Sequence, residues 1–315
     1  LAPDPTRRPA ADEILAAVGG ELLAGRALHR GHIPFIGRER ELALAEGAYG
    51  QARGGPGAIV HLRGPSGIGK SAMARAFLDS VAHVDQAWVM RGRCYERESI
   101  PYKAFDHIMD EMAGHLRSLP AAALAQVVPE WIHELAQAFP VLGSVEALRE
   151  LSTTALRVKD AKELRRRVRA AFVELLRVVS AGRPVVLYID DLQWADDDSA
   201  QLLLDLLDAI PSCRILLVLG FRPEEAAQNP VLGAYLERSS QSGVVTVLEV
   251  PVGPLPAEDA TELARWVLLS AGKPWKKEWL EAIVRESTGV PFFVEELARY
   301  YAERRATSTS REHSL

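Results

Sequence analysis

HLRGPSGIGKSAMARAF, residues 61–77, decides the fold. Gly64, Gly69, Lys70 and Ser71 fit the pattern G-x-x-x-x-G-K-[ST]. The run before it, GAIVHLRG, is short, apolar and β-branched, and predicts a buried strand; the residues after it predict a helix. A glycine-rich turn between a buried strand and a helix lets successive backbone N–H groups wrap a phosphate, with glycine where a Cβ would block the approach. In that geometry Lys70 reaches the β- and γ-phosphates of a nucleoside triphosphate, and the Ser71 hydroxyl is a ligand for Mg²⁺. A plain strand-to-helix turn is the alternative, and the matched flanks argue against it.

The second piece is VVLYIDDLQWADDDS, residues 185–199. Asp190 and Asp191 close an apolar strand, where a carboxylate has little reason to be unless a cation is near. Asp190 is placed to hold Mg²⁺ through one of its bound waters, and Asp191 to polarise an attacking water. Asp196, Asp197 and Asp198 do not make a calcium loop, because the turn glycine and late glutamate are missing; one of them, or Ser199, caps the next helix. Arg222 ends the strand CRILLVLGFR. Parallel strands aim their C-terminal ends at one ligand face, so Arg222 falls on the rim of Lys70 and Asp190, where it can sense a γ-phosphate.

Outward from these pieces, FIGRERELALAEGAYGQA has a helical period from near Arg38, and AWVMRGRC predicts a second strand. From Ala104 to about Leu151 the chain predicts helix broken at Pro120, Pro129 and Pro140. AKELRRRVRAAFVELLRVV keeps Leu164, Val168, Ala171, Phe172 and Leu175 on one face, and VVTVLEV predicts another buried strand. Alternating helices and continuously apolar strands imply a parallel α/β sheet covered on both faces. After Pro251 three helical patterns follow with no strand between them. The tail ATSTSREHSL has no apolar period and predicts disorder.

Composition narrows the function. The 315 residues carry 48% hydrophobic and 25% charged side chains with a formal net charge of -5, an ordinary globular balance that disfavours a strongly basic nucleic-acid binder. The run Arg165, Arg166, Arg167 and Arg169 predicts a solvated helix face. The two cysteines, Cys94 and Cys213, have no metal-ligand spacing and fit a reducing cytoplasm. No run reaches the roughly 18 apolar residues a membrane span needs. No cleavable signal is visible, and a chain that does not begin with Met reads as a piece of something longer.

The sequence resembles the signal-transduction ATPases with numerous domains, the STAND class of P-loop ATPases, and in particular the module found beside bacterial serine/threonine kinases, cyclases and LuxR-type regulators. Four motifs carry the resemblance: FIGRERE at Phe35–Glu41, the Walker A loop GPSGIGKS, the Walker B strand LYIDDLQWAD, and TGVPFF at Thr288–Phe293. The resemblance implies a P-loop NTPase with a five-stranded parallel sheet of order 5-1-4-3-2 and a small all-helical lid. It implies nucleotide contacts from Phe35, Ile36, Gly37 and Arg38, from Gly64, Ser66, Gly67, Ile68, Gly69, Lys70, Ser71 and Ala72, and from Pro291, which would pack on the adenine. It also implies Mg²⁺ at Ser71 and Asp190, with Lys70, Asp191 and Arg222 acting in hydrolysis. Adenine over guanine rests on this resemblance; no N-K-x-D segment is present. Residues 1–19, LAPDPTRRPAADEILAAVG, resemble the end of a serine/threonine kinase domain, though no kinase active site accompanies them.

The expected organisation is a kinase remnant at 1–19, a linker at 20–34, the P-loop domain at 35–253, the helical lid at 254–306 and a disordered tail at 307–315. The leading expectation is a slow, ATP-hydrolysing switch using ATP or ADP with Mg²⁺. Its partners would be its own kinase and downstream domains and, depending on nucleotide, other copies of itself, with no membrane or nucleic acid. A nucleotide-holding oligomerisation module without hydrolysis needs the same loop and stays open. A nucleic-acid motor is disfavoured by the acidity.

Overall fold

The computed structural model describes residues 34–85, 87–96, 100–146, 148, 160–272 and 275–304. The kinase-like segment at 1–19, the linker except Pro34, and the tail at 307–315 lie outside the described residues. Helix α1 (Glu39–Gly54) leads into strand β1 (Ala58–Arg63), and the glycine-rich loop carries the chain into helix α2 (Lys70–Asp85). Strand β2 (Trp88–Arg93) follows, then helices α3 (Lys103–Arg117), α4 (Ala121–Val127) and α5 (Ile132–Ala138) and a tight helical turn at Pro140–Ser144. Next come α6 (Ala161–Gly182), β3 (Val185–Asp190), α7 (Asp197–Ala209) and β4 (Ile215–Phe221). The short α8 (Pro223–Ala226), α9 (Pro230–Gln241) and β5 (Thr246–Pro251) complete this part.

The five strands are all parallel, in the order β2-β3-β4-β1-β5, which is the expected 5-1-4-3-2 read from the other edge. Every residue of β3 and of β4 is buried, because each has a strand on both sides and layers on both faces. VVTVLEV was expected to be buried and is not. In β5 only Val250 is fully buried, since the strand is an edge with one neighbour, and Thr246 and Glu249 give it edge polarity.

Helix starts follow local chemistry. The Asp160 side chain accepts from the Lys162 amide at 2.9 Å, Asp196 from the Ser199 amide at 2.9 Å, and Asn229 from the Leu232 amide at 3.1 Å. The Asp196 carboxylate also accepts from the amides of Tyr102 and Lys103, each at 3.1 Å, so one side chain fixes the starts of both α7 and α3. Helix α6 buries Val168, Ala171, Phe172 and Leu175, and Phe172 meets Phe105 of α3 with ring centroids 5.1 Å apart. Its basic face is not simply solvated: Arg165 pairs with Asp198, Arg167 with Glu134, and Arg169 with Asp205. These arginines brace α6 against α5 and α7.

The described residues divide into two compact units, one within Gly37–Leu255 and the other taking in residues 34–36, 256–272 and 275–304. In the second unit α10 (Ala257–Ser270), α11 (Lys277–Ser287) and α12 (Pro291–Arg304) pack on one another. Leu263, Val267, Leu268, Leu280, Ile283 and Val294 form its core. Thr288 and Gly289 take left-handed φ values of 50° and 77°, which stops α11 and lets Pro291 open α12.

Candidate functional site

All five strands end on one rim. The loop after β1 needs its glycines: Gly67 and Gly69 have φ of 72° and 98°, and a Cβ on Gly64 would run into the Val252 carbonyl oxygen. Lys70 opens α2, and its buried ammonium donates to the carbonyls of Gly64 at 2.7 Å and Pro65 at 3.0 Å. Burial pulls Lys70 below the usual lysine range, and the charges of Asp190 and Asp191 oppose that pull. Ser71 donates its hydroxyl to Asp190 Oδ2 at 2.6 Å, so the loop and the end of β3 meet where the sequence predicts.

Asp190 and Asp191 are both buried but differently held. Asp190 accepts from Ser71 and, through Oδ1, from the Asp191 amide at 3.0 Å. Asp191 has a left-handed backbone with φ of 52°. Its Oδ2 accepts from Arg93 at 2.9 Å and its Oδ1 from Gln193 Nε2 at 3.2 Å. Arg93 arrives because β2 pairs with β3 in a register that sets Arg93 opposite Asp190. Gln193 Oε1 in turn accepts from the Arg222 amide at 3.2 Å.

Arg222 follows β4 on the same rim. Its guanidinium donates to Glu225 at 2.6 Å and lies over the Trp194 ring, 5.2 Å from the centroid. Its charge acts on Lys70 in the direction that lowers the lysine. Arg38, left-handed with φ of 73°, buries its guanidinium against the loop, donating to the Ile68 carbonyl at 3.0 Å and to the Gly253 carbonyl. Its side chain therefore braces the loop from behind. Phe35 is partly exposed, and Phe35, Ile36 and Pro291 belong to the second unit. Ser66, Gly67, Ile68 and Gly69 form the loop itself, and Ala72 follows Ser71 in the first turn of α2.

Arg93 and Gln193 escaped the sequence reading. A signal existed for each: Arg93 ends a predicted strand as Arg222 does, and Gln193 stands two residues after Asp191. Neither position carries a pattern that names its partner.

The parallel sheet and the strand–loop–helix at its rim define a P-loop NTPase fold. The sequence model for the AAA ATPase domain matches residues 34–219, and the chain belongs to that family. A Walker-type ATPase of Pyrococcus abyssi shares the fold with a TM-score of 0.52 and 17% identity, over 88% of this chain and 73% of that one. Cdc6p of Pyrobaculum aerophilum does so with a TM-score of 0.50 and 14% identity, over 89% of this chain and 66% of that one. An uncharacterized protein of Rhizobium meliloti is 24% identical over 290 residues, which are 88% of this chain and 26% of that protein. The chain thus spans about a quarter of that relative's length.

Proposed function

We propose that this AAA ATPase domain is an ATP-binding, slowly hydrolysing switch of the STAND kind, using Mg²⁺, and a regulatory part of a larger protein that also carries a serine/threonine kinase. The observation that carries the nucleotide part is the convergence of Lys70, Ser71 and Asp190, with the Ser71 hydroxyl 2.6 Å from the Asp190 carboxylate. Among the described residues no group of three or more His, Cys, Asp or Glu could cage a metal. A cation at Ser71 and Asp190 would complete its shell with phosphate oxygens and water, which suits Mg²⁺. When bound, it would neutralise charge on the phosphates.

The chain's own groups do the rest. Backbone N–H groups from Ser66 to Ala72 cradle the phosphates, Gly64 leaves room for the loop, and Lys70 moves its N–H donors from loop carbonyls to phosphate oxygens. Asp191 orients and polarises the water once Arg93 releases it, and Arg222 senses the γ-phosphate once it leaves Glu225. Phe35, Ile36, Gly37 and Pro291 are assigned to the adenine side, and Arg38 to holding the loop. Switching follows from unequal contacts with ATP and ADP, since only a difference in affinity can shift a conformational equilibrium.

The kinase assignment rests on the resemblance of residues 1–19, with a linker at 20–34, the ATPase domain at 35–253, the lid at 254–306 and a tail at 307–315. A cytoplasmic location fits the free, buried Cys94 and Cys213. Among the described residues no helix is long and apolar enough to cross a membrane. The ion-paired arginines of α6 fit a module that does not bind nucleic acid.

The Arg93–Asp191 pair favours a second reading, a module that holds nucleotide and scarcely hydrolyses it. The deciding experiment identifies the nucleotide carried by the purified protein and follows it for hours with Mg²⁺. Retained ADP with slow ATP turnover supports the switch. Retained, unhydrolysed ATP supports the holding module. Absence of any nucleotide affinity overturns both.

A further inference from the structure

The turn that follows β3 carries more than the acid pair. Asp191, in its left-handed conformation, leads into a tight helical turn at Leu192–Trp194. The N–H of Trp194 closes it on the Asp191 carbonyl at 3.0 Å, and that of Ala195 on the Leu192 carbonyl at 2.9 Å. Leu192 is fully buried and anchors the turn. The Asn229 side chain, which caps α9, also donates to the Ala195 carbonyl at 3.0 Å. Gln193 and Trp194 therefore leave a pinned stretch of backbone. Both reach Arg222, Gln193 at its backbone N–H and Trp194 at its guanidinium.

Gln193 is 5% exposed, and its side-chain amide spans two unlike partners. A carboxylate only accepts and a backbone N–H only donates, so Nε2 has to face Asp191 and Oε1 has to face Arg222. Both contacts, at 3.2 Å, have that arrangement, and a flip of the amide would break both. The two oxygens of Asp191 are thus held in different ways. Arg93, with 54% of its side chain exposed, holds Oδ2 as a cation and can swing into water. Gln193 holds Oδ1 from inside the protein and carries no charge. An arginine fixes a carboxylate and neutralises it, whereas an amide fixes it and leaves it negative. Only the second suits a group that has to draw a proton from water.

We propose that Gln193 is the positioning residue for Asp191, aiming the carboxylate at the attacking water once Arg93 lets go. The assignment rests on the reading of Asp191 as the group that polarises water. Gln193 acts through Asp191 alone, and the end of β4 holds it in place. A buried glutamine can also serve as packing, so the test sets hydrogen bonding against shape.

Gln193→Met keeps nearly the same length and volume and loses both donor and acceptor. Gln193→His fits the shape less well, but a neutral imidazole offers one donor and one acceptor. The readouts are the rate at which bound ATP is hydrolysed in a single turnover, with protein in excess and Mg²⁺ present, and ATP affinity by equilibrium binding. Gln193→Met should slow hydrolysis about tenfold, the loss of a hydrogen bond to a charged acceptor, with ATP affinity unchanged. Gln193→His should stay within about threefold of wild type. In an Asp191→Asn background Gln193→Met should add no further loss, because its route to the reaction is gone. A wild-type rate in Gln193→Met overturns the proposal. So does Gln193→His no faster than Gln193→Met, which assigns the effect to packing. Loss of ATP affinity together with rate, or a full further loss in the Asp191→Asn background, overturns it as well. If Asp191→Asn alone hydrolyses like wild type, or wild type never hydrolyses its ATP, the reading of Asp191 falls and this assignment with it. A slow Asp191→Asn beside an unimpaired Gln193→Met overturns this assignment alone.

Discussion

The rim has two halves that differ in how they are built. In one, Lys70, Ser71 and the loop glycines come from consecutive residues, and a single distant side chain, Asp190, completes the group. In the other, Arg93, Asp191, Gln193 and Arg222 come from the ends of three strands and meet only through sheet register. The first half is ready to receive phosphates because its polar groups point into one loop. The second is closed on itself, each charge already taken by a neighbour. On the proposed reading, nucleotide is bound by the local half and its turnover is controlled by the long-range half.

That contrast breaks first at Lys70. Lys70→Ala removes a buried cation from the phosphate cradle, and ATP affinity measured by equilibrium binding should fall about 1,000-fold. Undiminished binding would remove the local half from the site. Asp191→Asn should keep ATP affinity and lower turnover about 100-fold; equal turnover in a phosphate-release assay would remove Asp191 as the group that polarises water. Gly64→Ala forces a methyl group against the Val252 carbonyl and should cost about 2 kcal/mol in urea unfolding. Wild-type stability there would mean the loop relaxes at no expense.

The smaller effects sharpen the comparison. Arg93→Ala frees Asp191 from a partly exposed ion pair worth about 1 kcal/mol, so turnover should rise about fivefold with ATP affinity little changed. A fall instead would make Arg93 part of the hydrolytic machinery. Away from the rim, Glu249 pairs with His61 at 2.6 Å and Arg63 at 2.7 Å. Burial alone would raise Glu249, but the His61 hydrogen bond and the Arg63 guanidinium help hold it below its ordinary 4.5. The lowered carboxylate contributes stability above pH 4.5 that is lost as pH falls through its folded value. Thermal unfolding should therefore separate wild type from Glu249→Gln by about 0.5 kcal/mol at pH 7, a difference that closes below pH 4.5. A constant gap at all pH values would assign the effect to packing.

Much of the fold was legible. The runs at Val185–Asp190 and Ile215–Phe221, apolar except for Tyr188 and Asp190 near the rim, became fully buried central strands with a neighbour on each side. VVTVLEV looked similar and became an exposed edge, since apolar content does not say how many neighbours a strand will have. The Arg165–Arg169 run looked solvated because its acids, Glu134, Asp198 and Asp205, lie on other helices. Arg38 reads in sequence as part of a nucleotide-contacting motif, and in space its guanidinium grips the Ile68 carbonyl, a partner 30 residues on.

By itself the sequence determined the parts whose physics is local: the glycine-rich turn, the strand before it, the helix opened by Lys70 and Ser71, and the acid pair closing β3. Tertiary structure alone decided which side chains those parts would meet. Arg93 reaches Asp191 because β2 pairs with β3, and the Arg222 amide reaches Gln193 because β4 ends on the same rim. Strand order and register fix such meetings, and they arise from how the whole sheet buries its apolar faces, a property that no short stretch of sequence contains.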